Sequence, residues 1–418
     1  MKNLPTIIQK AVILALPCLH LSSCAYKSNI NGGTVQTAPS HQDTTVAVNP
    51  TASVVPVEAA TLTLPQPDEK PKKKIKIALL LDTSNSMDGL IDQARAQLWK
   101  LVNELALAKY GEEKPQLEIA LYEYGNSTLN STEGFIRQVS AFTGDLDLIS
   151  EKLFSLRTNG GEEYCGYVIS RATQELSWEK NEGNLQVIFI AGNEPFNQGT
   201  IDPVMSCKTA GEQDIIVNTI YCGAYNEGMS SGWLSGAHLT NGSYMNIDQN
   251  KKTRFIETPY DVEIARLNDK LNDTYVGYGA LGESKKMNQI TQDKNAASYG
   301  TANMSTRVAV KTGKTVYKNE SWDLVDASKT KNFSVTKLKE EELPKELRGK
   351  TKEQKELYIA QKNKDRDDII KKIQDLNVKR NAFITEKQKT MQIDNTLDAA
   401  MIKAIRNQAS RKNFVFES

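Results

Sequence analysis

The chain has 418 residues, enough for a large core and for more than one structural unit. Its 52 Lys and Arg nearly balance 51 Asp and Glu, so no overall field points to nucleic acid or to an acidic partner. Three histidines argue against an imidazole metal centre or a set of His-based catalytic groups.

At the N-terminus, Met1-Lys2 and Lys10 frame a short basic region. Ala11 to Leu21 is apolar but too short to span a bilayer comfortably. Leu21-Ser22-Ser23-Cys24 resembles the lipobox of bacterial lipoproteins. That resemblance implies loss of residues 1–23, acylation of Cys24 and, with Ala25 next, placement in the outer membrane of a cell that has one. A plain secretory signal with an incidental cysteine is the alternative. Residues 24–73 then read as a flexible tether: Ser, Thr, Pro, Ala, Val, Asn and Gln without a period, closed by the basic run Lys70–Lys74.

From Ile75 the pattern changes. Ile75 to Leu81 is a strand, ended by Asp82-Thr83-Ser84-Asn85-Ser86 and followed by Leu90, Ala94, Leu98, Leu101 and Leu105 at helical spacing. Strands follow at Leu117–Tyr124 and Phe135–Phe142. Helices follow at Leu146–Leu156, where Thr143 is a candidate cap, and at Tyr164–Leu176. Leu185–Ile190, Ile215–Tyr221 and Gly242–Ile247 are further strands, with a Trp233–Leu239 helix before the last. Such alternation predicts an α/β fold with a doubly wound, mostly parallel, Rossmann-like sheet over 74–250. Thr258-Pro259 starts another helix, lined by Ile264, Leu267 and Leu271. Residues 251–336 read as a mixed extension, irregular from 276, with strand signals such as Arg307–Val310.

Residues 337–418 are charged and mainly helical. One long helix is expected over about 351–390 and a second over about 395–409, the latter carrying Leu397, Met401 and Ile405. Ile359, Ile369, Ile373, Leu376 and Phe383 partly form a heptad seam that Arg366 and Arg380 interrupt. Self-association as a coiled coil and packing back as a hairpin are both open. Cys18 leaves with the signal and Cys24 with the lipid, so Cys165, Cys207 and Cys222 remain in an oxidising compartment. The sequence favours a Cys207–Cys222 disulfide, both residues falling at one end of the sheet, against three buried thiols.

The pentad, the Leu185–Glu194 strand and loop, and the alternation over roughly 74–250 resemble a von Willebrand factor type A domain of a bacterial lipoprotein. The resemblance implies a metal-ion-dependent adhesion site (MIDAS) that binds Mg²⁺ or Mn²⁺, with Ser84 and Ser86 as direct ligands and Asp82 direct or through water. It implies a hydroxyl from a second loop, assigned to Thr158 with Glu162 as the rival, and an acid from a third. The direct counterpart of that acid is Gly192; Glu194 reaches the site if the loop bulges, and Asn193 is the neutral alternative. A protein or other acidic ligand would fill an open position on the metal.

No H-E-x-x-H, G-x-S-x-G or Walker loop occurs, so no enzyme is expected. Glu162, Glu163 and Glu194 would serve a hydrolase only if two of them met in a cleft with one pKa raised. The functional expectation is an envelope lipoprotein that binds a partner through a divalent metal. The alternative is a metal-independent envelope scaffold acting through its C-terminal helices.

Overall fold

Burial on both faces explains the first strand. In a computed structural model, β1 (Lys74–Asp82) buries every residue after Lys74 and pairs in parallel with two neighbours. The structure describes residues 72–180, 183–313, 316–389 and 396–416, all within one compact unit, Glu69–Ser418. The signal, the lipidation site Cys24 and nearly all of the tether lie outside the described residues. Among those described, no helix is long and apolar enough to cross a membrane.

After β1 come α1 (Asp88–Leu105), β2 (Ala108–Tyr110), β3 (Gln116–Tyr124), β4 (Ile136–Thr143), α2 (Leu146–Ser155) and α3 (Cys165–Glu175). Then follow β5 (Leu185–Gly192), α4 (Pro203–Glu212), β6 (Ile216–Cys222), α5 (Tyr225–Ser230), α6 (Trp233–His238) and β7 (Tyr244–Ile247). Six of these strands form one sheet in the order β4-β3-β1-β5-β6-β7, parallel except for β4. The doubly wound sheet expected from the alternation is therefore found. Ile75, Ile77, Leu79 and Leu81 point into a core under α1 and α2, and Ala78 and Leu80 into a second core under α3 and α4. The chain fills one half of the sheet, returns to the middle and fills the other half. The loops after β1 and β5 consequently diverge and leave a crevice at the carboxyl ends of the strands.

The expected disulfide is absent: Cys165, Cys207 and Cys222 are free and buried. Cys207 packs in the core on one face of the sheet and Cys222 in the core on the other. They share an end of the sheet, as the sequence indicates, but the sheet itself separates them.

The extension comprises α7 (Asp261–Asn272), α8 (Gly282–Ala297), α9 (Thr301–Thr312), α10 (Leu324–Ala327) and α11 (Lys352–Gln388). Arg307–Val310, a strand signal in the sequence, lies inside α9, a helix bounded by Gly300 and Gly313 and buried along most of its length. Arg307 is fully buried. It donates to Asp147 on α2 (2.7 Å) and to Asp293 on α8 (2.7 Å), and lies 4.3 Å from the centre of the Trp99 ring on α1. It thus fastens the extension to the sheet domain.

The long helix forms as expected, opened by a Thr351/Gln354 capping box. Its two seam arginines do not interrupt the packing. Ile359, Arg366, Ile373 and Arg380 follow at intervals of seven and are all buried against the chain's own extension. Arg366 donates to Asp323 (2.6 Å), Asp326 (2.9 Å) and the Thr274 carbonyl (2.7 Å), over the Tyr275 ring. Arg380 donates to Asp261 and the Ala302 carbonyl. The seam on which a coiled coil would depend is thus covered within the chain.

The last elements are not part of that extension. α12 (Leu397–Arg411) buries Leu397, Met401, Ala404, Ile405 and Ala409 in the core beneath α1, and β8 (Phe414–Phe416) pairs antiparallel with β2. Gln93 and Gln97 of α1 accept hydrogen bonds from the Leu397 and Asp398 amides. The sheet domain therefore closes with residues 397–416, and 251–388 stand as an insertion within it.

Removing one member of a buried ion pair leaves the other charge unpaired. Arg366→Ala should lower stability by about 3–5 kcal/mol in chemical denaturation, whereas Lys389→Ala at an exposed pair should change it by under about 1 kcal/mol.

Candidate functional site

Asp82 ends β1 at the crevice and is fully buried. Its Oδ1 accepts from the Ser84 amide (2.8 Å), which curls the pentad back on itself. Oδ2 has no hydrogen-bond partner, and a buried carboxylate oxygen without one is costly. The Ser84 and Ser86 hydroxyls lie 3.3 Å apart, and Ser86 meets the Asn193 amide at 3.2 Å. The loop is held by Thr83 N to the Tyr124 carbonyl (2.8 Å) and by Asn159 N to the Thr83 carbonyl (2.9 Å).

The second loop behaves differently from the sequence expectation. The Thr158 hydroxyl donates to Asp88 at the start of α1, and Glu162 points to solvent. The group that reaches the pentad is Glu163. It is buried, its carboxylate lies beside Ser84, and its amide donates to the Gln198 side chain (2.9 Å). Gly125 makes room for it: with φ at +76°, it sits where a Cβ would lie 2.8 Å from both Asp82 Oδ1 and Glu163 Cγ. No local signal in the sequence separates Glu163 from Glu162.

The third loop brings Asn193 to Ser86 and Glu194 near enough to raise the pKa of both Asp82 and Glu163. Glu194 is half-buried, and its carbonyl accepts from Trp233 Nε1 (2.8 Å). Gly192 carries no acid for a steric reason. A Cβ there would stand 2.5 Å from the Tyr124 hydroxyl, which itself donates to the Ala191 carbonyl (3.0 Å).

Burial pushes Asp82 up to about 8, and the negative charges of Glu163 and Glu194 add to the rise. Burial, then Glu194, pushes Glu163 up to about 7. Among the described residues, no three His, Cys, Asp or Glu side chains form a metal cage by themselves. A cation here would need the serine hydroxyls as well.

A pentad of this kind stands at the end of the first strand, beside the point where strand order reverses in a sheet with one antiparallel edge. In that arrangement the sheet domain resembles the von Willebrand factor type A fold. No known family profile matches the chain by sequence, and no curated protein matches it. Among solved structures it is similar to the conserved hypothetical protein BatB from Bacteroides thetaiotaomicron, at 17% identity over 42% of this chain and 90% of that one, with a TM-score of 0.31. It is also similar to the SpRpn10 VWA domain, at 13% identity over 43% of this chain and 90% of that one, TM-score 0.32. A third is proximal thread matrix protein 1 from the mussel byssus with a zinc-occupied MIDAS motif, at 12% identity over 43% of each chain, TM-score 0.32. Likeness of fold at such identities does not carry function across.

Two outcomes follow for the type A domain. Gly192→Ala should cost about 1–3 kcal/mol by overpacking, and less than that in a Tyr124→Phe background, as urea denaturation of the double-mutant cycle will show. The second concerns pH. Asp82 and Glu163 hold their protons more tightly folded than unfolded, so their contribution is full below about pH 4. It is lost as pH rises through about 7 for Glu163 and about 8 for Asp82. Melting temperature in chelator should fall across that window, and Asp82→Asn should flatten the fall.

Proposed function

We propose that this chain is a lipid-anchored protein of the bacterial cell envelope whose type A domain captures a protein or other acidic ligand through Mg²⁺ or Mn²⁺. The observation that carries the metal is Asp82 Oδ2, a buried carboxylate oxygen without a partner, on the residue that opens a loop supplying two hydroxyls. Hydroxyl and carboxylate oxygens suit hard cations of this kind. Asp82, Ser84 and Ser86 would hold the ion, with Glu194 as the third-loop acid and Asn193 orienting Ser86. Thr158 lies in Asp88's hydrogen bond and would have to leave it to join them. When bound, the ion supplies an electrophilic position for a ligand oxygen.

The raised pKa values also favour a second reading, in which Asp82, Glu163 and Glu194 exchange protons with a substrate. The two readings separate on metal dependence, since a proton-exchanging pair works in chelator. The reading based on the C-terminal helices loses support, because α12 belongs to the core of the sheet domain and the seam of α11 is covered.

Calorimetry with Mg²⁺ and Mn²⁺ tests the metal. Wild type should bind saturably and release protons, with affinity rising between about pH 6 and 8 as the carboxylates ionise. Asp82→Ala should be silent; silence in both would discard the metal. Labelled palmitate should enter the wild-type chain and fail to enter Cys24→Ser.

A further inference from the structure

The second loop presents a carboxylate to Ser84 where the resemblance implies a hydroxyl. Glu163 did not arrive there by accident of a free loop. Its amide is held by Gln198, its side chain lies beside Ser84, and its path past Asp82 depends on the left-handed Gly125, which leaves the space that a Cβ would take. With Asp82 and Glu194 it makes three carboxylates around the site, whose full ionisation exceeds the charge of a divalent cation by one. An outside carboxylate added to that set meets net repulsion at short range. One that replaces Glu163 meets none in excess.

We propose that Glu163 is an internal ligand that occupies the position through which the bound cation would meet an outside carboxylate, so that capture of an acidic partner proceeds by displacing Glu163. This inference rests on the metal reading above and adds to it a built-in competitor. Gln198 belongs to the same device as a positioning residue, because it holds the Glu163 backbone from the segment that follows the third loop.

Mn²⁺ bound to the full chain reports the device through water proton relaxation, which counts the waters on the ion, with acetate as the outside carboxylate. Glu163→Ala should bind Mn²⁺ more weakly, by roughly 10–100-fold, and should show higher relaxivity from added water. Acetate should lower that relaxivity in Glu163→Ala and leave wild type unchanged. Glu163→Gln keeps the volume of the side chain and should show the same acetate response should the alanine variant fold poorly. Equal relaxivity and equal acetate response in wild type and both variants would overturn the internal ligand while leaving the metal reading intact. Absence of Mn²⁺ binding by wild type would overturn both.

Discussion

The structure depends on the enclosure of β1. Strands pair with it on both edges, helices cover it on both faces, and its last residue is a carboxylate. A strand enclosed in this way carries Asp82 to the point where the chain reverses its direction of travel across the sheet, and delivers it there dry. Desolvation then governs what the site can be. A lone buried carboxylate either keeps its proton or finds a cation, and the hydroxyls of Ser84 and Ser86 are placed for the second course. The loops that follow β3 and β5 adapt to this centre through close approaches, Gly125 beside Asp82 and Gly192 beside Tyr124, instead of defining it.

The extension obeys a different constraint. Its contacts with the sheet domain and with the long helix include arginines that are almost wholly buried, Arg307, Arg366 and Arg380, each facing a carboxylate on another element. Such pairs add little net stability over apolar packing, but they penalise every misregistered arrangement, because a buried guanidinium without its partner is expensive. α11 carries them at two of its four seam positions, which fixes the helix to one register on α7, α9 and α10. A helix with so weak an apolar stripe could otherwise slide.

The legible part of the sequence was the part governed by local period. Strands β1, β3, β5 and β6 and helices α1, α2 and α3 follow from apolar runs and helical spacing, and the pentad announced the centre because its residues are contiguous. The second loop could not be resolved. Whether Thr158, Glu162 or Glu163 faces the pentad is decided by contacts with Asp88, Gly125 and Gln198, which are distant in sequence. Gly192 read as a missing acid, and only the position of the Tyr124 hydroxyl shows why an acid has no room there. Arg366 and Arg380 read as breaks in a heptad because a seam rule counts charge as exposure; their carboxylate partners lie 40 to 119 residues away. Arg307–Val310 read as a strand from its β-branched residues, yet it lies in a helix that is buried along most of its length and bounded by Gly300 and Gly313.

The return of α12 and β8 to the sheet domain has a bearing on how the protein comes to be. The core beneath α1 joins residues synthesised before the insertion to residues synthesised after it. Order of synthesis and order of packing therefore disagree. Until the segment around Leu397–Phe416 is available, Leu79, Leu81, Leu98 and Phe189 lack part of their cover, and the nascent chain carries an open apolar floor. Late, long-range closure of this kind leaves apolar surface open to aggregation until the sheet domain is complete.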